Sequence, residues 1–204
     1  MINIANDHKS SRLTTTERPE RGARHQAGIA VVPDTARSVT GTTATATRYL
    51  LAGIRLALGW VFLWAFLDKL FGLGRSTPAA NAWLDGGSPT AGFLGKAATG
   101  PFAGFYHSIA GNVVVDGLFM AALLGIGAAL ILGIGMRIAA AAGALLTVMM
   151  WTAVLPPDTN PFMDDHLVYA AVLVVLALLS AGNTWGFGRR WAAIPLVQRH
   201  TWLT

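Results

Sequence analysis

Four apolar stretches, each near the length of a lipid-spanning helix, fill most of residues 49–188, and nearly every ionisable residue of that region falls at one end of the stretches. They run about 49–71, 113–134, 138–155 and 167–187. A hydrocarbon core ~30 Å thick takes about 20 residues of helix, and lipid supplies no water for an unpaired backbone group. Only 12% of the chain is charged against 53% hydrophobic. That charge is about half that of an average soluble domain, and what is missing is missing from these windows. The expected fold is an all-α membrane protein: an antiparallel four-helix transmembrane bundle over residues 48–190, with a long external loop at 74–112 carrying short helices.

The positive charge sets the expected topology. Arg12, Arg18, Arg21, Arg24, Arg37 and Arg48 precede the first stretch, Arg137 lies between the second and third, and Arg189, Arg190 and Arg199 follow the fourth. Only Arg75 and Lys96, with Lys69 at the rim, belong to the other side. The positive-inside rule then places both termini in the cytoplasm. This distribution explains the net charge of +5 without a nucleic-acid partner. Residues 1–47, rich in Thr, Arg and Ala, read as a disordered basic cytoplasmic tail, and 191–204 as a cytoplasmic C-terminal tail. The charged lead is too long for a cleaved signal peptide, so the first stretch reads as a retained anchor. The chain has no cysteine, which excludes disulfides, Cys-ligated iron–sulfur clusters and attached c-type haem.

The external loop holds two breakers, Gly86-Gly87-Ser88-Pro89 and Gly100-Pro101. Between and beside them lie Trp83, Phe93, Phe102, Phe105 and Tyr106, which favour an ordered cap at the membrane interface. Pro101 suits the first turn of a short helix through His107. The tight Gly133-Ile134-Gly135 connection makes the second and third helices neighbours, with Ala121, Gly125 and Ala139–Gly143 small enough for close contact. The Gly-x-Gly pairs here are packing features, not nucleotide loops.

A charge at a helix centre in lipid costs about 2.5–3.5 kcal/mol, so polar residues placed in such a chain are functional candidates. Trp60, Trp64 and Asp68 fall four apart on one stripe of the first helix. Lys69 either pairs with Asp68 or snorkels to the headgroups. Asp116 is either a first-turn carboxylate complementing the helix dipole or a partner for Lys69. In Asn160-Pro161-Phe162-Met163-Asp164-Asp165-His166, Asp164 suits a helix N-cap and Asp165 the first turn. His166 adds an imidazole that could relay a proton or ligate a metal. Trp151 and Tyr169 complete the set with an indole and a phenol. Arg55 is the exception, two turns in from the other side, placed to snorkel or to meet a lipid phosphate. Apolar walls with a few convergent polar groups describe a ligand pocket, and a quinone head suits such a mouth. Haem, for which His107 and His166 are the external histidines, and a metal are no better supported.

The order of these residues resembles a known family. Arg55-Leu-Ala-Leu-Gly59 through Phe66-Leu-Asp-Lys69-Leu-Phe-Gly72 looks like the first helix of DoxX/DoxD-type membrane proteins, which carry Arg, Gly and a terminal Lys in that order. Asn160-Pro161-Phe162 with Asp164-Asp165-His166 is similar to the motif opening their last helix. Trp83-Leu-Asp-Gly-Gly-Ser-Pro-Thr-Ala-Gly92 resembles actinobacterial members. The likeness implies a four-helix bundle in a bacterial plasma membrane, tied to respiratory redox chemistry of the thiosulfate:quinone oxidoreductase kind. It marks Arg55, Lys69, Asp164, Asp165 and His166 as the matching polar sites.

The resulting expectation is a subunit of a membrane oxidoreductase complex that passes electrons to menaquinone or ubiquinone, the electrons arriving from a protein partner with a redox centre. Lys69 would stabilise the reduced, anionic ring, and His166 with Asp165 would relay protons. Trp64, Trp151, Asp68, Asp116, Asp164 and Tyr169 would line the site. The alternative is a non-catalytic scaffold that anchors a partner oxidoreductase. A small-molecule carrier has less support, since no inverted repeat or broken central helix is visible.

Overall fold

The computed structural model describes residues 34–158 and 160–204, with side chains from Gly41 onward. No strand occurs among them. Three helices are long and apolar enough to cross a membrane: α1 (Asp34–Phe71), α3 (Val113–Leu132) and α4 (Met136–Ala153). Between α1 and α3 lie short turns and α2 (Ala103–Ile109). α5 (Asp165–Leu178), α6 (Gly188–Ala192) and α7 (Pro195–Arg199) follow.

α1 begins well before the first apolar stretch. Residues 34–47, expected to be disordered, are helical, whereas the rest of the expected tail, 1–33, lies outside the described residues. A helix already nucleated by an apolar span extends at one hydrogen bond per residue added. No proline interrupts the chain from 34 to 77, and Thr47 Oγ1 bonds back to Thr43 O at 2.9 Å. From Gly41 to Thr47 this extension is polar and exposed; that part needs no core of its own.

α1 packs on α3, α3 on α4, and α4 on α5. Phe62 of α1, Met120, Leu123, Ile126 and Leu130 of α3, and Leu173 of α5 meet in one buried core. The backbones approach most closely where a side chain is absent. A Cβ on Gly127 would stand 2.8 Å from Leu63 N. Gly125, expected at the contact, faces open space instead. Gly133 (φ 71°) and Gly135 (φ 56°) supply the left-handed turn between α3 and α4, a conformation glycine adopts without penalty.

α5 is shorter than the fourth apolar stretch. It has 14 residues and ends at Leu178, whereas the hydropathy runs to about 187. Ser180 turns left-handed (φ 51°) and Ala181–Asn183 form a single tight turn. At ~1.5 Å per residue α5 is about 21 Å long, less than a hydrocarbon core. The break has a tertiary cause: Gly182 and Gly186 lie against the α3–α4 turn at Gly133, and the carbonyls of Thr184 and Trp185 face Arg55.

Candidate functional site

Asp68 is 1% exposed near the end of α1. It accepts hydrogen bonds from Arg75 N (3.1 Å), Ser76 N (3.0 Å) and Ser76 Oγ (2.7 Å). A carboxylate buried this way is satisfied by the loop it folds down. Lys69, one residue on, reaches Ser76 Oγ at 3.5 Å. Trp60 and Trp64 lie on the outer side of α1, 51% and 36% exposed, with ring centroids 5.8 Å apart.

Asp116, 5% exposed, does not meet Lys69. Its Oδ1 accepts from Ser88 Oγ (3.0 Å), Thr90 N (3.1 Å) and Thr90 Oγ1 (2.5 Å). Thr90 Oγ1 accepts in turn from Gly111 N at 3.2 Å. The N-cap of α3 is Asn112, whose side chain accepts from Val114 N and Val115 N, so Asp116 holds the 88–90 turn onto the first turn of α3. Around it the 74–112 segment forms an ordered cap. Tyr106 of α2 is buried, its hydroxyl 3.0 Å from Met149 O and 2.5 Å from Thr152 Oγ1. Thr99 N donates to Ala153 O at 3.2 Å. The helix expected from Pro101 to His107 is α2, two residues further on.

The third polar group opens α5. Asp164 Oδ1 accepts from His166 N (3.1 Å) and Leu167 N (3.3 Å), the N-cap geometry its position suggested. Asp164 Oδ2 lies 2.7 Å from His166 Nδ1, with Asp165 Oδ1 at 3.8 Å from the same nitrogen. One donor atom from each of the three lies within 4.8 Å of the others. Trp151 braces the preceding turn: its indole N–H donates to Phe162 O at 2.8 Å and its ring meets the Phe162 ring edge-on at 5.1 Å. Tyr169 packs half-buried against the core. The expected mouth contains three stations, at Asp68–Lys69, Asp116 and Asp164–His166, each bonded within its own loop or helix start, and among the described residues no hydrogen bond or ion pair joins one to another.

A cavity of about 430 Å³ lies elsewhere, between the cap and the outer parts of α3 and α4. Phe93, Leu94 and Tyr106 close it from the cap, Phe119 from α3, and Leu146 and Met149 from α4. Its walls are almost wholly apolar, and the two hydroxyls at its edge, Thr90 and Tyr106, already have partners. None of the polar candidates lines it. Among the signals in the sequence, the loop aromatics Phe93 and Tyr106 pointed closest to it.

Among the described residues Arg55 is the most buried charge, at 0% exposure, and it turns inward rather than to the headgroups. Its Nη1 donates to Leu130 O and to Ile131 O (3.0 Å). Its Nη2 donates to Thr184 O (3.2 Å) and Trp185 O (2.9 Å). The last carbonyls of a helix have no partner within it. The guanidinium supplies donors to the last carbonyls of α3, and its charge suits the negative C-terminal end of that helix. Phe187 N completes the set by donating to Leu132 O at 2.8 Å.

No family model, curated protein or solved structure matches the chain.

Proposed function

We propose that the protein is a DoxX/DoxD-like membrane subunit of an oxidoreductase complex, binding a quinone in the apolar cavity beneath its cap. In this reading α1, α3, α4 and α5 form an antiparallel four-helix bundle in a bacterial plasma membrane, with both termini cytoplasmic. A partner protein delivers the electrons.

The supporting observation is the cavity itself. Its volume of about 430 Å³ falls within the ~300–1,000 Å³ of small-molecule sites. Entry from lipid carries no hydrophobic gain, since acyl chains are as apolar as the walls. Selection must come from shape and from ring contacts with Phe93, Phe119 and Tyr106, and the Met149 thioether suits an aromatic edge. These contacts fit the ring and first prenyl units of menaquinone or ubiquinone. A bound quinone supplies a two-electron, two-proton acceptor. His166 is the proton-exchanging group in this reading: Asp164 fixes its Nδ1, which leaves Nε2 to exchange with water. Lys69 is the candidate for charge compensation along the rim, and Asp165 remains exposed beside the histidine.

A scaffold function is favoured by a different observation. Asp68 and Asp116 are fully engaged in holding the cap, and the cap exposes Trp83, Leu84, Phe102 and Phe105. Such a surface suits a docked partner.

Native mass spectrometry of the full chain, extracted gently from its own membrane, separates the two. Co-purifying quinone that is lost in Leu146→Trp, which fills the cavity, supports the quinone subunit. Loss of quinone in Lys69→Met but not in Leu146→Trp moves the site to the rim. A retained protein partner with no quinone supports the scaffold.

A further inference from the structure

At the end of the molecule away from the cap, a second pocket of about 240 Å³ opens between α1, the turn ending α5 and the start of α6. Arg48 and Arg189 line it with Ser180, Asn183 and Thr184, while Leu51 and Leu179 form its apolar side. Two cations that share a pocket repel each other unless an anion joins them. No Asp or Glu occurs at 35–67, 117–157 or 166–204. The acid nearest to Arg48 along α1, Asp34, lies about 20 Å down the helix at ~1.5 Å per residue.

Two other arginines at this end have local partners. Arg137 donates to Thr201 O at 3.0 Å, and Arg190 lies over the Phe187 ring at 5.8 Å. Arg48 has one long contact, 3.4 Å to Thr45 Oγ1, and among the described residues neither Arg48 nor Arg189 forms an ion pair. The depth is right for a headgroup. Arg48 and Asp68 stand about 30 Å apart along α1, one hydrocarbon thickness. Leu179, 57% exposed, continues the pocket's apolar side outward.

We propose that this pocket binds the phosphate of an anionic phospholipid. The two guanidinium groups take the phosphate oxygens, a match their planar fork favours. Ser180, Asn183 and Thr184 meet a polyol headgroup, and the acyl chains run along Leu51 and Leu179. Basic pockets between membrane helices recognise anionic lipids by this chemistry. The proposal rests on the chain's residence in a membrane and not on the quinone reading. Its consequence is that a bound lipid bridges α1 to the broken end of α5, beside the carbonyls that Arg55 holds.

The test is lipid titration of the full-length detergent-purified protein, followed by native mass spectrometry, with phosphatidylglycerol, phosphatidylcholine and inorganic phosphate as separate probes. Phosphatidylglycerol is expected to bind in preference to phosphatidylcholine, and inorganic phosphate to compete poorly. At about 1 kcal/mol per basic residue, the Arg48→Gln/Arg189→Gln variant should bind phosphatidylglycerol roughly thirty-fold more weakly. Arg190→Gln/Arg199→Gln removes the same charge outside the pocket and should stay within about threefold of the parent. The Arg48→Lys/Arg189→Lys variant keeps charge and bulk, and should lose severalfold even if the Gln pair fails to fold. Equal losses in the two Gln pairs would overturn the site in favour of diffuse surface attraction. Equal binding of the two lipids, an unchanged Lys pair, or inorganic phosphate binding as tightly as the lipid would overturn it too.

Discussion

The cap end and the Arg55 end of the molecule solve one problem with opposite charges. Both must satisfy backbone groups where helices stop near or inside lipid. At the cap end the helices α3 and α5 begin, and their first turns carry Asp116 and the N-cap Asp164. There the carboxylates accept from loop N–H and hydroxyl groups: Ser76 on Asp68, Ser88 and Thr90 on Asp116. At the other end α3 and α5 finish, and one guanidinium donates to the last carbonyls of α3 and to those of Thr184 and Trp185 in the segment after α5. The signs of Asp116, Asp164 and Arg55 follow the helix dipole; Asp68, in the last turn of α1, runs against it and is held by the loop hydrogen bonds instead. The difference lies in distribution. Three stations share the work at one end, each with its own loop, whereas the other end depends on a single side chain.

That contrast predicts unequal damage. Arg55→Met should be the most harmful change, taking the guanidinium away from the part-buried carbonyls of Ile131, Thr184 and Trp185 and leaving Leu130 O only its bond from Gly133 N. An unpaired buried group costs ~1–3 kcal/mol, and removing the buried charge recovers part of this, so the net loss should be about 3 kcal/mol. Denaturant titration in detergent, followed by tryptophan fluorescence, measures it. A loss below ~1 kcal/mol would mean that the carbonyls find other donors and that the two ends are equally redundant.

Asp116→Ala should cost less overall, about 2 kcal/mol, because Asp68 and Tyr106 still hold other parts of the cap. Its effect should be local: faster amide exchange across 88–111, with α3 and α4 unchanged. Asp116→Asn keeps an acceptor oxygen for Thr90 and should retain most of the protection. If Asn is as harmful as Ala, the charge rather than the hydrogen bonding holds the cap.

The ends also differ in how far the sequence disclosed them. Helices α3 and α4 lie within two residues of the stretches read at 113–134 and 138–155, because apolar length and a Gly-x-Gly turn are local signals. The stop at Leu178 was not legible. Hydropathy continues past it, and the break answers to Arg55, more than a hundred residues earlier in the chain. The positions of Asp68, Asp116 and Asp164 near helix ends could be read from spacing, but not their partners. Ser76, Ser88 and Thr90 are small loop residues with no periodicity to reveal which carboxylate each one meets. The cavity was invisible for a related reason: Phe119, Leu146 and Met149 have the same composition whether they pack together or line a space.

The smallest expected effect sharpens the division between holding the fold and serving a ligand. Lys69 is half-buried at the rim, and its one hydrogen bond, to Ser76 Oγ, is 3.5 Å long. Asp68, its neighbour, is already satisfied by Arg75 N and Ser76 without it. Lys69→Met preserves the aliphatic stem and removes only that weak bond and the charge. Its stability should therefore stay within about 0.5 kcal/mol of the parent, as for a surface change touching no structural feature. Denaturant titration measures this against Arg55→Met on the same scale. A loss of ~2 kcal/mol or more would make Lys69 a structural counter-charge to Asp68, part of the staple that holds the 72–77 turn. A neutral result leaves a cation at the rim that the fold does not require, which is the condition for assigning it to a ligand.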